Sequence, residues 1–213
     1  MILVSYVTIC KAALRLASTG AALLLALLLV ATGGLAQSLQ RPSADWADRS
    51  SLSAGEILVN VVEAGPFRGH VQAAIAINAT PEEIWEVVTD CDKAPEFVPG
   101  VLSCERLEVL EPGRVELFRQ AVKYSWYLPR LEYEFRLEYF PYEQLNFRRV
   151  SGSLKRLDGT WWLEARGDDQ TLVFYSLDLD PGFLVPKFLV RKALRKDLPK
   201  VLAALRQRVR DRL

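Results

Sequence analysis

Histidine and cysteine are scarce in this chain, and that narrows its chemistry at once. The 213 residues hold one histidine, His70, and three cysteines, Cys10, Cys91 and Cys104. These form no His, Cys and carboxylate cluster at ligand spacing, so no metal is expected. His70 stands beside a turn in an alternating run, on the parity opposite to Val71. It reads as a surface strand residue, because little around it supplies the nucleophile and acid of a triad. No glycine-rich phosphate loop occurs; Gly152 and Gly159 flank a basic hairpin instead. The net charge of +1 points to no class of charged partner, and nucleic acid is not expected. With no catalytic set in sight, the expectation is a binder rather than an enzyme.

The long apolar run lies at the start. Lys11 and Arg15 precede an apolar stretch from Leu16 to Ala31, and Gly34-Leu35-Ala36 offers the small residues of a cleavage site. This is the pattern of an export signal over residues 1–36. Its brevity distinguishes it from a membrane span of about 20 residues. The apolar residues before Lys11 keep an uncleaved anchor open as the alternative. The expected location is the periplasm, free or tethered to the inner membrane. Residues 37–54 are polar and rich in serine, with Pro42 among them, and read as a linker. Residues 55–213 are enough for one domain with a real core. Cys91 and Cys104 both fall in this domain. Export permits a disulfide between them, and two small buried residues are the other reading.

Within the domain, Glu56–Val62 and His70–Asn78 read as a hairpin around Gly65-Pro66. Thr80, Pro81 and Glu83 form a capping box that opens a short helix. A second short helical turn is expected near Asp92 to Phe97. Further strands are expected at Val101–Leu110, Arg114–Tyr124, Leu131–Tyr139, Gln144–Val150, Gly159–Ala165 and Thr171–Leu179. The clearest is the run from Leu131, where apolar residues alternate with Glu132, Glu134, Arg136 and Glu138. From Leu184 onward, Val190, Leu194, Leu198, Val201, Leu205 and Val209 mark one face of a long helix. Pro199 inside it predicts a kink or a break into two helices. Ten of the 27 lysines and arginines lie in residues 187–213. They either keep an outer helix face soluble or rest on anionic lipid, a peripheral membrane contact.

Three stretches carry a family resemblance. They are Thr80-Pro81-Glu82-Glu83-Ile84-Trp85 with Pro95-Glu96-Phe97-Val98-Pro99, Gly152 through Trp161, and Tyr175 through Gly182. The second is similar to a pattern Gly-Pro-Phe-basic-x-Leu-x-Gly-x-Trp, with Ser153 and Leu154 in place of Pro-Phe. Together they resemble the START-like helix-grip (SRPBCC) superfamily, in its coenzyme Q-binding, polyketide cyclase-like branch. The resemblance implies an α+β fold. A curved antiparallel sheet would wrap around the long C-terminal helix, with two short helices after the N-terminal hairpin. An apolar cavity between sheet and helix is implied too. No shared catalytic set is.

Alternation nominates Tyr133, Phe135, Phe147, Trp161, Leu163, Val173, Tyr175 and Leu177 as residues pointing into such a cavity. Trp85 and Phe97 from the small helices, and Leu184, Phe188 and Leu189 at the start of the long one, are placed at its mouth. Ordinary core packing is the other reading of each. The aromatic cluster Tyr124-Ser125-Trp126-Tyr127-Leu128-Pro129 is expected partly exposed, at the cavity rim or against a membrane interface. The function these features suggest is an exported carrier or chaperone for a quinone, isoprenoid or lipid, the ligand taking the place of any cofactor. The alternatives are a polyketide cyclase or aromatase, with Tyr124, Tyr133, Tyr175 or Arg119 assisting, and an interaction protein whose cavity is filled.

Overall fold

The computed structural model describes residues 44–63, 69–123, 126–182 and 187–213. The export segment, Gly65-Pro66, Tyr124, Leu184 and Pro186 lie outside these. The element order is α1 (Arg49–Ser53), β1 (Ile57–Glu63), β2 (Gly69–Ile77), α2 (Pro81–Val88), α3 (Ala94–Phe97), β3 (Val101–Glu111), β4 (Val115–Val122), β5 (Leu131–Phe140), β6 (Gln144–Gly152), β7 (Arg156–Ala165), β8 (Thr171–Asp180) and α4 (Lys187–Arg210). The strands form one antiparallel sheet of eight in the order β1-β2-β8-β7-β6-β5-β4-β3. This is the START-like helix-grip architecture.

Local chemistry explains most boundaries. Thr80 Oγ1 accepts from the Glu83 N–H, and Glu83 Oε2 accepts from the Thr80 N–H at 2.8 Å, so the capping box is closed. In β5, Tyr133, Phe135 and Leu137 are buried while Glu132 and Arg136 face outward. At the edge strand β3 the pairing with β4 slips three times, and such bulges blunt an open sheet edge. Helix α4 runs unbroken through Pro199. Leu198, Leu202, Leu205 and Val209 are buried against the sheet, and that packing holds both halves in line despite the lost backbone donor.

The described part of the segment read as a linker, residues 44–54, is folded onto the sheet. Asp48 caps α1, and Leu52 is fully buried with Ala47, Ala74, Ala76, Trp162, Leu172 and Phe174 in a second core. Arg49 pairs with Glu164 at 2.6 Å and ties this helix to β7. Trp46 packs against the same cluster. The sheet is thus covered on both faces over β2, β7 and β8. That explains why Leu172 and Phe174 are buried on the opposite parity to Val173 and Tyr175.

The basic residues of α4 are largely engaged within the fold. Arg206 donates to the Gly55 carbonyl at 2.9 Å. Arg208 reaches Glu96 at 3.5 Å, and Arg212 reaches Asp90 at 2.8 Å. These contacts fasten the helix end to the segments after α1 and α2. Lys192, Arg195 and Lys196 stay exposed in its first half.

Candidate functional site

A cavity of about 300 Å³ lies between α4 and the inner face of the sheet, bordered also by residues of α2 and α3. Its position along the strands follows from register. Trp161 pairs with Tyr175, and one same-face step further Leu163 pairs with Val173. Leu163 and Val173 belong to the solid core that also holds Ile75, Ile77 and Ile84. The cavity occupies the other end, where Val122, Leu131, Leu157 and Leu179 line it.

Aromatic rings build its wall. The Trp161 and Tyr175 rings lie 4.6 Å apart between centroids, and Phe147 stacks on Tyr175 at 5.9 Å. Tyr133 and Phe135 are tilted at 5.9 Å on β5. The glycines of the Gly152 to Trp161 stretch make this wall possible. Gly159 pairs with Phe147, and a Cβ there would collide with the Phe147 ring and the Ser176 carbonyl. Gly152 has a φ of +102°, and a Cβ there would collide with the Glu132 carbonyl and the Tyr133 backbone. Between them Leu154 and Leu157 are buried and line the cavity.

On the helix side Val190, Leu194, Leu198, Val201 and Leu205 face the cavity, recurring every three or four residues. Cys91 and Cys104 border it and form a disulfide, with Cα atoms 5.4 Å apart. This bond ties the end of α2 to β3. Phe97 of α3 is also in the lining, and the Arg208 guanidinium sits 5.7 Å from its ring centroid, a cation–π contact.

Polar groups at the cavity are few. The Tyr133 hydroxyl donates to Gln120 Oε1 at 2.6 Å. Asp197 of α4 borders the cavity and is 8% exposed. Asp90 borders it as well. A few well-placed polar groups in an apolar wall are what orients a small molecule.

Of the twelve nominated residues that the structure describes, seven line the cavity: Phe97, Tyr133, Phe135, Phe147, Trp161, Tyr175 and Leu177. Five do not. Leu163 and Val173 share the inward parity but fall in the solid end of the core. Trp85 instead packs edge-on against Tyr139 and Tyr142, at 6.2 and 6.0 Å. Tyr139 donates to Glu116 at 2.8 Å, and burial, then that bond, raises its pKa far above the usual tyrosine range. Phe188 is 66% exposed and Leu189 half-buried, outside the lining. The helix presents Val190 inward, and Phe188 is turned about 200° from it at 3.6 residues per turn. Leu128 and Pro129, beside the exposed Trp126, do reach the cavity.

Sequence reasoning missed Gln120 and Asp197. Each had a signal. Gln120 shares its parity with Phe118 and Val122 on β4, and Asp197 interrupts the apolar stripe between Leu194 and Val201. Arg119, considered as a catalytic aid, instead pairs with Glu134 at 2.9 Å and is not among the lining residues. His70 Nδ1 lies 3.0 Å from Asp178 Oδ1. Neither residue is in the cavity lining.

A curved sheet gripping a helix over an apolar cavity defines a START-like protein. In agreement, the family described as "polyketide cyclase / dehydrase and lipid transport" matches residues 77–206, and the chain belongs to that family. No curated protein matches the chain in sequence. Among solved structures, the STAR-related lipid transfer protein from Xanthomonas axonopodis is similar at 18% identity and a TM-score of 0.63, over 72% of this chain and 93% of that one. A START superfamily protein from Mycobacterium smegmatis is similar at 23% identity and a TM-score of 0.59, over 68% and 99%. The Zhui aromatase/cyclase from Streptomyces sp. R1128 is similar at 17% identity and a TM-score of 0.59, over 68% and 95%. At these identities the likeness is one of fold.

Proposed function

We propose that the protein binds a hydrophobic small molecule, a lipid, isoprenoid or quinone, in the cavity, and acts as an exported carrier or chaperone. The observation that carries this reading is the cavity itself, walled by aromatic and aliphatic side chains with few polar groups. Tyr and Trp suit the task because a flat ring packs against an apolar ligand while its polar atom keeps a hydrogen bond. The family, which handles hydrophobic small molecules or lipids, supports the same ligand class. The Cys91–Cys104 bond favours an oxidising compartment and so agrees with export. On the first half of α4, Phe188, Lys192 and Arg195 lie on one exposed face. An aromatic among cations there suits peripheral contact with an anionic membrane, from which such a ligand would be collected.

The test is extraction of the full-length protein, purified from a membrane-containing host, followed by mass spectrometry. One apolar compound per chain, recovered chemically unchanged after prolonged incubation, is the expected result. A recovered compound that the protein converts on incubation would replace the carrier by the cyclase reading. A protein that holds no apolar compound, and takes up none when offered lipid extract, would overturn the binding reading.

A further inference from the structure

The polar groups of the cavity wall differ in what they still offer. Asp90 and Asp197 are held in ion pairs, with Arg212 and Lys200. Thr89 donates its hydroxyl to the Trp85 carbonyl at 2.7 Å. Gln120 is only half satisfied. Its Oε1 accepts from the Tyr133 hydroxyl at 2.6 Å. Its amide nitrogen has no hydrogen-bond partner among the described residues, and it is not one of the atoms sealed from solvent.

That nitrogen opens on the cavity. Gln120 is half-buried and has the inward parity of Phe118 and Val122. Its neighbours on the same sheet face are its register partners, Cys104 on β3 and Tyr133 on β5, and Val122 two residues on. All three line the cavity, as Gln120 does. The bond from Tyr133 fixes the orientation of the amide. The oxygen is taken up by the hydroxyl, and two N–H groups are left to donate. A donor in an apolar wall gains from an acceptor brought to it.

The chemistry of that acceptor follows from charge. No Lys, Arg or His is among the described lining residues, whereas two carboxylates are. An anionic head group would enter without a counter-ion and beside two negative groups, a costly burial. An ammonium only donates, so it makes no use of the amide N–H groups. A neutral carbonyl oxygen accepts from them and brings no charge.

We propose that Gln120 is the head-group donor of the cavity, oriented by Tyr133, and that the ligand is a neutral amphiphile whose apolar body carries a carbonyl oxygen. This rests on the cavity-binding reading and sharpens it. Fatty-acid anions and phosphate-bearing lipids drop out of the ligand classes considered.

The experiment uses the full-length protein, with N-phenyl-1-naphthylamine as the displaced reporter. The two probes have nearly the same shape: 2-acetylnaphthalene, and 2-isopropylnaphthalene, in which a methyl stands in place of the carbonyl oxygen. The ratio of their affinities is taken within each protein, so a general change in affinity cancels. From the unaltered protein to Gln120→Leu, that ratio is expected to fall about fivefold against the ketone, the value of one neutral hydrogen bond. Infrared spectra supply a second reading. The carbonyl stretch of 2-acetylnaphthalene bound to the unaltered protein is expected below its frequency in hydrocarbon solvent, and back at that frequency in the variant. Gln120→Met, unbranched like glutamine, is expected to repeat both results. The anionic analogue 2-naphthoate is expected to leave the reporter in place at concentrations where the ketone displaces it. A stretch at the hydrocarbon frequency in the unaltered protein would overturn the Gln120 assignment and leave the binding reading standing. A lowered stretch, or an affinity ratio, that neither variant changes would overturn the assignment too. Equal competition by 2-naphthoate would overturn the neutral head group. Failure of the reporter to bind the unaltered protein would overturn the binding reading, and this one with it.

Discussion

Tyr133 and Gln120 are register partners across β5 and β4, and the Tyr133 hydroxyl donates to Gln120 Oε1 at 2.6 Å. Both residues line the cavity. Without Tyr133, the amide oxygen would face an apolar wall with one donor fewer. Tyr133→Phe is therefore expected to cost about 1 kcal/mol, or about 2–4 °C in thermal midpoint. Circular dichroism melts of both proteins check this. An unchanged midpoint would mean that solvent or a ligand takes over as donor.

The Cys91–Cys104 disulfide closes a short loop, with a sequence separation of 13. Closing a loop of about 15 residues is worth about 3 kcal/mol through the unfolded chain. The double variant Cys91→Ser, Cys104→Ser is expected to melt about 6–12 °C lower. Since both residues border the cavity, faster release of a bound apolar fluorophore is expected too, measured by stopped-flow dilution into vesicles. A slower release would show that the bond holds the cavity open rather than closed.

Gly159 has the Phe147 ring directly over it. Gly159→Ala must displace both that ring, which stacks on Tyr175 in the cavity wall, and the Ser176 carbonyl. Overpacking of this kind costs about 1–3 kcal/mol. The expected outcome is a lower midpoint together with weaker fluorophore binding. Weaker stability with unchanged binding would place the displaced ring outside the cavity.

Asp48 caps α1, its carboxylate accepting from the Ser50 hydroxyl at 2.6 Å and from the Ser50 and Ser51 N–H groups at 3.2 Å. These bonds, the Ser50 hydroxyl first, lower its pKa from 3.8 to about 2. A carboxylate depressed on folding stabilises the protein fully above its unfolded pKa, and the benefit vanishes as pH falls through the folded one. Asp48→Ala is thus expected to melt below the unaltered protein at pH 7. The gap should narrow from about pH 4 downward and close near pH 2. Melts across that range, with the gap constant throughout, would rule out the ionised cap as its source.

The fold was readable because its signals are local. The charged and apolar alternation of Leu131–Phe140, the Thr80 capping box and the apolar stripe of α4 each state one element without reference to the rest. Two things were not readable this way. The polar composition of residues 37–54 hid α1, whose only fully buried side chain is Leu52. Its partner signal was the unbroken apolar run Leu172-Val173-Phe174-Tyr175, which marks a strand buried on both faces. The extent of the cavity was the other. Parity tells which face Leu163 and Val173 present but not where along the strand the packing ends.

Ligand binding in the space between α4 and the sheet can be tested by filling that space. Ala193 is a small residue in its helix wall. Ala193→Trp should fill the space without disturbing the outer surface. The most direct measurement is a fluorescence titration of N-phenyl-1-naphthylamine into the full-length protein and this variant, with a melt of each. Saturable one-site binding to the first is expected, with its loss in the variant and a midpoint that is equal or higher. Equal binding by both proteins would place the ligand elsewhere and rule out the cavity as its site.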